Sequence, residues 1–382
     1  MTPPRRAPLH RALLHQTLLL GPLLLPALLL ARPSAAALPD EERLLSGAVL
    51  AVGFASDGSL CNPGAGLGMV FDPDGGAGPA PLGGDVLLPG RCFEAWALST
   101  GDGRAWVQAE ADQGSDLDVD MVALETGAGL QALEARAEDP AFSLRWQLVL
   151  REDEGLLLMH LRVEAREALP GLALSRAFDP DLDAWSTGDY GTANSVLDDV
   201  VLASSAFDDR AVALAAPGGA GGLCRWCALP DALAAGGAGA DGDEQLGVWI
   251  ELGDLAAGDV AEATFAYAVG AEPRAVAEAA WGAAAAEDLD GDGAPDAADC
   301  APLDPARAPG AAEGANGQDD DCDGEVDEVE GDGAARAGWA SPGEPEEDGA
   351  KASACASGPR APVGLLAVAA AALILPLRRS RR

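Results

Sequence analysis

The chain has 382 residues, 62 of them acidic against 24 basic, and a formal net charge of −38 at pH 7. So acidic a body repels nucleic acid and anionic lipid and attracts cations, which excludes nucleic acid as a partner. Of three histidines, His10 and His15 lie near the N-terminus, so His160 alone serves the rest of the chain. Histidine-based triads, Cys–His pairs and His-rich zinc sites are thereby excluded.

Residues 1–36 read as a secretory signal peptide. Arg5, Arg6 and Arg11 form a basic start, Leu13 to Leu30 is mostly apolar, and Ala31 to Ala37 is rich in the small residues a signal peptidase needs. Export places the chain where disulfides persist. Seven cysteines follow, and their order offers the local pairs Cys61–Cys92, Cys224–Cys227 and Cys300–Cys322, with Cys355 left over. Order alone does not fix connectivity.

Residues 39–270 alternate apolar and polar positions between Gly, Pro and Asp turns. Ala48 to Phe54, Arg104 to Glu110, Phe142 to Leu150, Leu156 to Glu164, Leu246 to Leu252 and Ala263 to Val269 are examples. This period of two predicts antiparallel strands, about a dozen, in a large β-sandwich. Glu251 to Asp259 followed by Thr264 to Gly270 predicts a closing hairpin. His160 falls inside an apolar strand pattern and is read as a packed strand histidine. Asp116, Asp118 and Asp120 read as a solvated edge. Arg176 to Asp183 is a turn-rich acidic segment, in which Asp179 and Asp181 form a second cation site, a ligand-facing loop, or a turn with an Arg176–Asp179 ion pair. Cys224-Arg-Trp-Cys227 has redox spacing without a strand-then-helix context, so a tight structural disulfide is expected.

Residues 271–287 predict a helix, with Pro273 in its first turn and Val276, Ala280 and Trp281 on one face. The segment that follows is the most acidic: Glu287 to Asp332 holds seventeen acids against one base, Arg307. Asp288, Asp290 and Asp292 occupy positions 1, 3 and 5 of a twelve-residue loop, with Gly293 at the sharp turn. The backbone carbonyl of Ala294, then Asp296 and Asp299, complete a set of hard oxygen donors suited to Ca²⁺. Pro295 and Cys300 argue against the exiting helix of an EF-hand. Asp319, Asp321, Asp323, Asp327 and Glu328 supply a second acidic run around Cys322.

Together these stretches, residues 288–328, resemble the MopE-type metal-binding motif family, itself similar to thrombospondin type 3 repeats. The family's Asp-x-Asp-x-Asp-Gly start, its Asp-Cys-Asp-Gly-x-x-Asp-Glu end and both cysteines are present. Asp320 stands where the family usually has Asn. The resemblance implies a metal. Copper prefers sulfur and imidazole, so the oxygen donors here point to Ca²⁺.

Residues 329–354 are rich in Gly, Ala, Glu, Ser and Pro and read as a disordered linker. Residues 355–382 then combine Cys355, the short apolar stretch Ala361 to Leu377 and a terminal Arg cluster. This order resembles the C-terminal sorting signals of exported myxobacterial proteins, the MYXO-CTERM type. The resemblance implies processing near Cys355 and attachment to the surface membrane of a Gram-negative bacterium. The sequence therefore predicts an exported, surface-anchored, calcium-binding protein without catalytic activity, whose β-domain is structural, adhesive or a binder of extracellular polysaccharide or protein. A carboxylate-based secreted hydrolase acting on polysaccharide, and surface copper or metal sequestration, are the alternatives.

Overall fold

A computed structural model describes residues 38–39, 42–72, 84–88, 92–109, 114–224, 229–235 and 241–327. The predicted signal peptide, linker and sorting signal, with Cys355 and Glu328, lie outside these residues, as does Cys227. No helix among the described residues is long and apolar enough to cross a membrane.

Seventeen strands and three helices follow one another in the described residues. The strands are β1 (Leu44–Ser46), β2 (Leu50–Gly53), β3 (Met69–Phe71), β4 (Glu94–Ser99), β5 (Ala105–Ala109), β6 (Gly114–Ser115), β7 (Val119–Ala123), β8 (Leu130–Glu138), β9 (Phe142–Arg151), β10 (Leu156–Ala165) and β11 (Leu169–Phe178). The short helix α1 (Ala184–Thr187) precedes β12 (Ala193–Leu197), β13 (Val200–Ser204), β14 (Arg210–Ala215) and β15 (Ala220–Cys224). Helix α2 (Pro230–Ala235) then leads to β16 (Gln245–Leu255), β17 (Val260–Ala271) and helix α3 (Pro273–Ala286).

All pairings are antiparallel. An eight-stranded sheet runs β12-β13-β14-β17-β10-β9-β8-β7, a six-stranded sheet runs β15-β16-β11-β4-β5-β6, and β1-β2-β3 form a small third sheet. The predicted sandwich is thus present, and alternation explains it. In β9, Leu144, Trp146, Leu148 and Leu150 face the core between the sheets while the residues between them face away. Leu172, Leu174 and Phe178 of β11 do the same from the opposite sheet. Trp96 and Trp146 meet edge to face across the interior at 5.8 Å, the geometry aromatic quadrupoles favour.

The expected closing hairpin is not one. β16 belongs to the six-stranded sheet and β17 to the eight-stranded sheet, so the chain crosses the sandwich between them. The turn at Ala256 to Asp259 looks like a hairpin locally, with Gly258 at φ +91° and Asp259 N–H donating to the Ala256 carbonyl. Which sheet a strand joins is decided by the partner edges, which the turn does not encode.

The eight-stranded sheet is also buried on its outer face where α3 lies. Ala211, Ala213, Ala215, Ala266 and Ala268 line its outer face, and α3 packs there through Val276, Ala277, Ala280 and Ala284. Alanine facing alanine lets helix and sheet approach closely. Trp281 is not on this stripe. It is 47% exposed and its Nε1–H donates to Asp199 at 3.1 Å, because a residue five places after Val276 points away from the i, i+4, i+8 face. Leu289, immediately beyond the helix, is 1% exposed in the same apolar layer.

One buried polar cluster ties the two sheets. Arg176, fully buried, donates to Glu94 through Nε at 2.5 Å and Nη2 at 3.1 Å. Tyr267 donates to Glu94 at 3.1 Å, as does the Leu60 N–H at 2.6 Å, and the guanidinium lies 5.2 Å from the Trp146 ring. The expected Arg176–Asp179 pair is therefore replaced by Arg176–Glu94. Position 176 shares the inward parity of Leu174 and Phe178, whereas Asp179 lies past the end of the strand.

Disulfides join Cys61 to Cys92 and Cys300 to Cys322. Cys224 is disulfide-bonded as well, at the end of β15. A strand precedes it and a helix follows, contrary to expectation. That helix begins at Pro230.

Candidate metal centre

Immediately after α3 the chain closes on itself in the loop 288–299. Asp288 accepts from the Gly291 N–H at 2.5 Å and the Gly293 N–H at 3.0 Å. Asp290 accepts from Asp292 N–H through Oδ1, Asp292 from Ala294 N–H through Oδ1, and Asp299 from Ala301 N–H through Oδ1. Gly293 sits at φ +100°, a conformation side chains resist, which is why glycine stands at the turn.

The pattern matters because of what it leaves over. Oδ2 of Asp290, of Asp292 and of Asp299 is buried and has no hydrogen-bond partner. Each aspartate spends one oxygen organising the loop and holds the other, desolvated and unpartnered, toward its neighbours. Asp288, Asp290 and Asp292 each bring a carboxylate oxygen within 4.8 Å of the others. Oxygens on a Ca²⁺ shell at roughly 2.3–2.6 Å from the ion are separated by no more than about 5 Å. The loop thus fits a hard divalent cation. Without one, burial and mutual repulsion push Asp290 to about 7 and Asp296 to about 6.

The close carboxylate group is smaller than the predicted set of donors. Asp296 turns one oxygen to the Leu289 N–H at 2.9 Å and does not join the close group of Asp288, Asp290 and Asp292. Asp299 stays close enough for its charge to act on Asp290 and Asp296.

The second acidic run forms a separate group. Asp319 and Asp321 meet Glu313, again within 4.8 Å, and Asp319 Oδ1 is buried without a partner. Glu313 was not expected; it lies in a Gly/Ala-rich stretch without spacing to mark it. It also accepts from the N–H groups of Asp320, Asp321 and Asp327. Asp323 caps Glu325, and Asp327 accepts from Asn316 and Gly317 N–H, so both shape the backbone rather than joining the group. Asp320 is buried and accepts from Gly314 N–H and from the Asn316 side chain. Asp299 also lies near Cys300 and Cys322, but those sulfurs are bonded to each other and are not thiolate ligands.

The module is docked on the sandwich. Arg151 of β9 donates to the carbonyl of Asp288 at 2.5 Å and of Leu289 at 3.4 Å, and Gly127 N–H donates to Leu303 at 2.7 Å. A Cβ on Gly127 would come within 2.4 Å of Asp304, so glycine is needed for this approach.

Two other places in the sandwich bear chemistry. Asp179 and Asp181 leave the end of β11 and meet Asp243, which precedes β16, with one oxygen of each within 4.8 Å of the others. Burial pushes Asp181 to about 8 and Asp179 to about 6, with neighbouring carboxylates adding to both. Asp183 goes elsewhere, accepting from Ser205 Oγ at 2.5 Å and Ala206 N–H at 2.9 Å. On the outer face of the six-stranded sheet lies an open groove of about 680 Å³, bordered by Thr100, Arg104, Asp231, Trp249 and Glu251.

Asp116, Asp118 and Asp120 are exposed beside the edge strand β7. His160 packs half-buried in β10 with Nδ1 3.0 Å from Thr264 Oγ1, and burial lowers its pKa.

No family model matches the chain, and no curated protein matches it. Among solved structures it is similar to a bacterial glucoamylase complexed with acarbose, at 14% identity and a TM-score of 0.41 over 65% of this chain and 36% of that one. It is also similar to the GH36 α-galactosidase AgaB from Geobacillus stearothermophilus, at 8% identity and a TM-score of 0.34 over 62% and 40%. An α-mannosidase from Enterococcus faecalis shares 8% identity at a TM-score of 0.33 over 62% and 30%. The chain thus spans between 30% and 40% of the length of these proteins. At these identities no residue role passes from them to this chain. The expectation of a protein without catalytic activity does not stand. The scarcity of histidine behind that expectation never excluded carboxylate chemistry, which needs none.

Proposed function

We propose that this chain is an exported protein displayed at the surface of a Gram-negative bacterium, that residues 288–327 bind Ca²⁺, and that the β-sandwich acts on extracellular polysaccharide. The calcium reading is carried by one observation: Asp290, Asp292 and Asp299 each commit one oxygen to the backbone and leave the other buried and unpartnered. Copper sequestration lacks donors, since Cys300 and Cys322 are bridged. Surface attachment rests on the sorting-signal resemblance around Cys355 and agrees with the disulfides, which persist outside the cytoplasm.

Calorimetric titration of the disulfide-intact protein with CaCl₂ tests the module. Binding in the millimolar range or tighter is expected, weakened at least tenfold by Asp290→Asn with Asp292→Asn. Absence of binding, or binding indifferent to those changes, rejects the assignment.

The polysaccharide reading rests on the groove beside Trp249. An indole face flanked by Arg104, Asp231 and Glu251 combines an apolar platform for a sugar ring with side chains that bond hydroxyls. A body of charge −38 disfavours polyanions, so neutral glucans and galactomannans are the expected substrates. Reducing-end release from soluble starch and galactomannan is the assay. Trp249→Ala and the exposed Glu251→Gln are each expected to lower it at least tenfold. No release and no retention on either polymer by the unaltered protein sinks this reading.

A further inference from the structure

We propose that Asp179, Asp181 and Asp243 form a cation site in the β-sandwich itself, separate from the acidic module, that takes one divalent oxygen-seeking cation, Ca²⁺ first. Three sequence-distant elements build it. The Asp179 N–H donates to the Phe93 carbonyl, and the Asp181 N–H to the Val86 carbonyl, so the turn after β11 is pinned to the loops before β4. Asp243 is brought in by the Thr192–Gly242 pairing on the other side.

The acids alone would not make a site. The decisive feature is Asp181: its residue is 3% exposed, and among the described residues its carboxylate receives no hydrogen bond, although it lies within 4.8 Å of the other two. Oδ1 of Asp179 is sealed from solvent without a partner. An unpaired buried carboxylate costs several kcal/mol in general, and two facing a third multiply the repulsion. The contrast with neighbouring acids is direct. Asp85, equally buried, accepts four backbone N–H groups, from Gly68, Met69, Leu87 and Leu88. Asp183 is satisfied by Ser205 and Ala206. The fold supplies donors to the acids it uses structurally and supplies none to Asp181.

A cation at the centre of the group resolves this. The oxygen separations match a shell of radius roughly 2.3–2.6 Å, and the exposed side of Asp243 leaves room for the waters that complete six to eight ligands. Chemically, the ion would clamp the end of β11 to the start of β16, adjacent strands of the six-stranded sheet.

The test is a count of bound Ca²⁺ per full-length chain by equilibrium dialysis with metal analysis, in variants that separate the two regions. With the module disabled by Asp290→Asn, Asp292→Asn, Glu313→Gln and Asp319→Asn, one Ca²⁺ per chain is expected to remain. Adding Asp181→Asn is expected to abolish it. Adding Asp243→Asn, at an exposed position that leaves the metal-free melting temperature unchanged, is expected to weaken it at least tenfold. A module-disabled chain that melts cooperatively but binds no Ca²⁺, Mg²⁺ or Mn²⁺ up to millimolar concentration overturns the proposal, as does residual binding indifferent to Asp181→Asn and Asp243→Asn. Loss of the module's ions alone leaves this count untouched, so the two readings fail separately.

Discussion

Replacing Arg176 by methionine is expected to cost about 3–5 kcal/mol, the usual penalty for removing one partner of a buried ion pair. Arg176 and Glu94 are both fully buried and form an ion pair. Once the guanidinium is gone, Glu94 keeps only the Leu60 N–H and the Tyr267 hydroxyl. Burial already holds its pKa above the ordinary value despite Arg176. Loss of the cation pushes it further, so Glu94 takes up a proton rather than remain charged. Glu94→Gln leaves the converse defect, a buried guanidinium whose Nη1 already lacks a partner. Urea unfolding with unchanged slope should show either loss, as a fall in melting temperature on the order of 10 °C. The double change Arg176→Met with Glu94→Leu is expected to recover much of it, since apolar replacements of buried pairs are often neutral. Single-variant losses under about 1 kcal/mol would remove the pair from the account of why the core holds together.

The sandwich was legible because burial of one strand face writes itself as alternation. β9 and β10 show this plainly, and both were read to within a residue or two. The close carboxylate group of loop 288–299 was legible for a similar reason: a local ring of oxygens needs fixed spacing, and Asp288, Asp290 and Asp292 carry it. Long-range pairings leave no such record. Arg176 looked like the partner of Asp179, three positions away, because sequence cannot say that strand parity sends it inward to Glu94. Asp243 reaches Asp179 and Asp181 through long-range pairings, of β16 with β11 and of Thr192 with Gly242. Glu313 joins Asp319 and Asp321 from across a turn. On α3, Val276 and Ala280 pack as the helical spacing predicts, but Trp281, five places after Val276, turns out of that face.

Stripping calcium from the protein is expected to destabilise the sandwich as well as the loop. Loop 288–299 is not an appendage. Leu289 is buried in the apolar layer between α3 and the eight-stranded sheet, and Arg151 binds the carbonyls of Asp288 and Leu289. If the buried carboxylates lose their cation, repulsion opens the loop, Arg151 loses both acceptors, and Leu289 leaves the layer. A ligand at a thousand times its dissociation constant contributes about 4 kcal/mol to the folded state. Chelation by EGTA should therefore lower the melting temperature by on the order of 10 °C. It should also admit protease cleavage between Glu287 and Cys300. The pH dependence reverses between the two states. In the metal-free chain Asp290 and Asp296 sit above the ordinary carboxylate value, so the folded state binds more protons than the unfolded one. Their destabilising effect is complete above about 7, fades as pH falls through about 7 and 6, and is gone below the unfolded value near 4. Metal-free protein should thus melt higher at pH 5.5 than at pH 8. With calcium bound the same carboxylates are held ionised, protons compete with the ion, and the protein should melt higher at pH 8. A melting temperature that ignores EGTA at both pH values would mean that the loop closes without a cation.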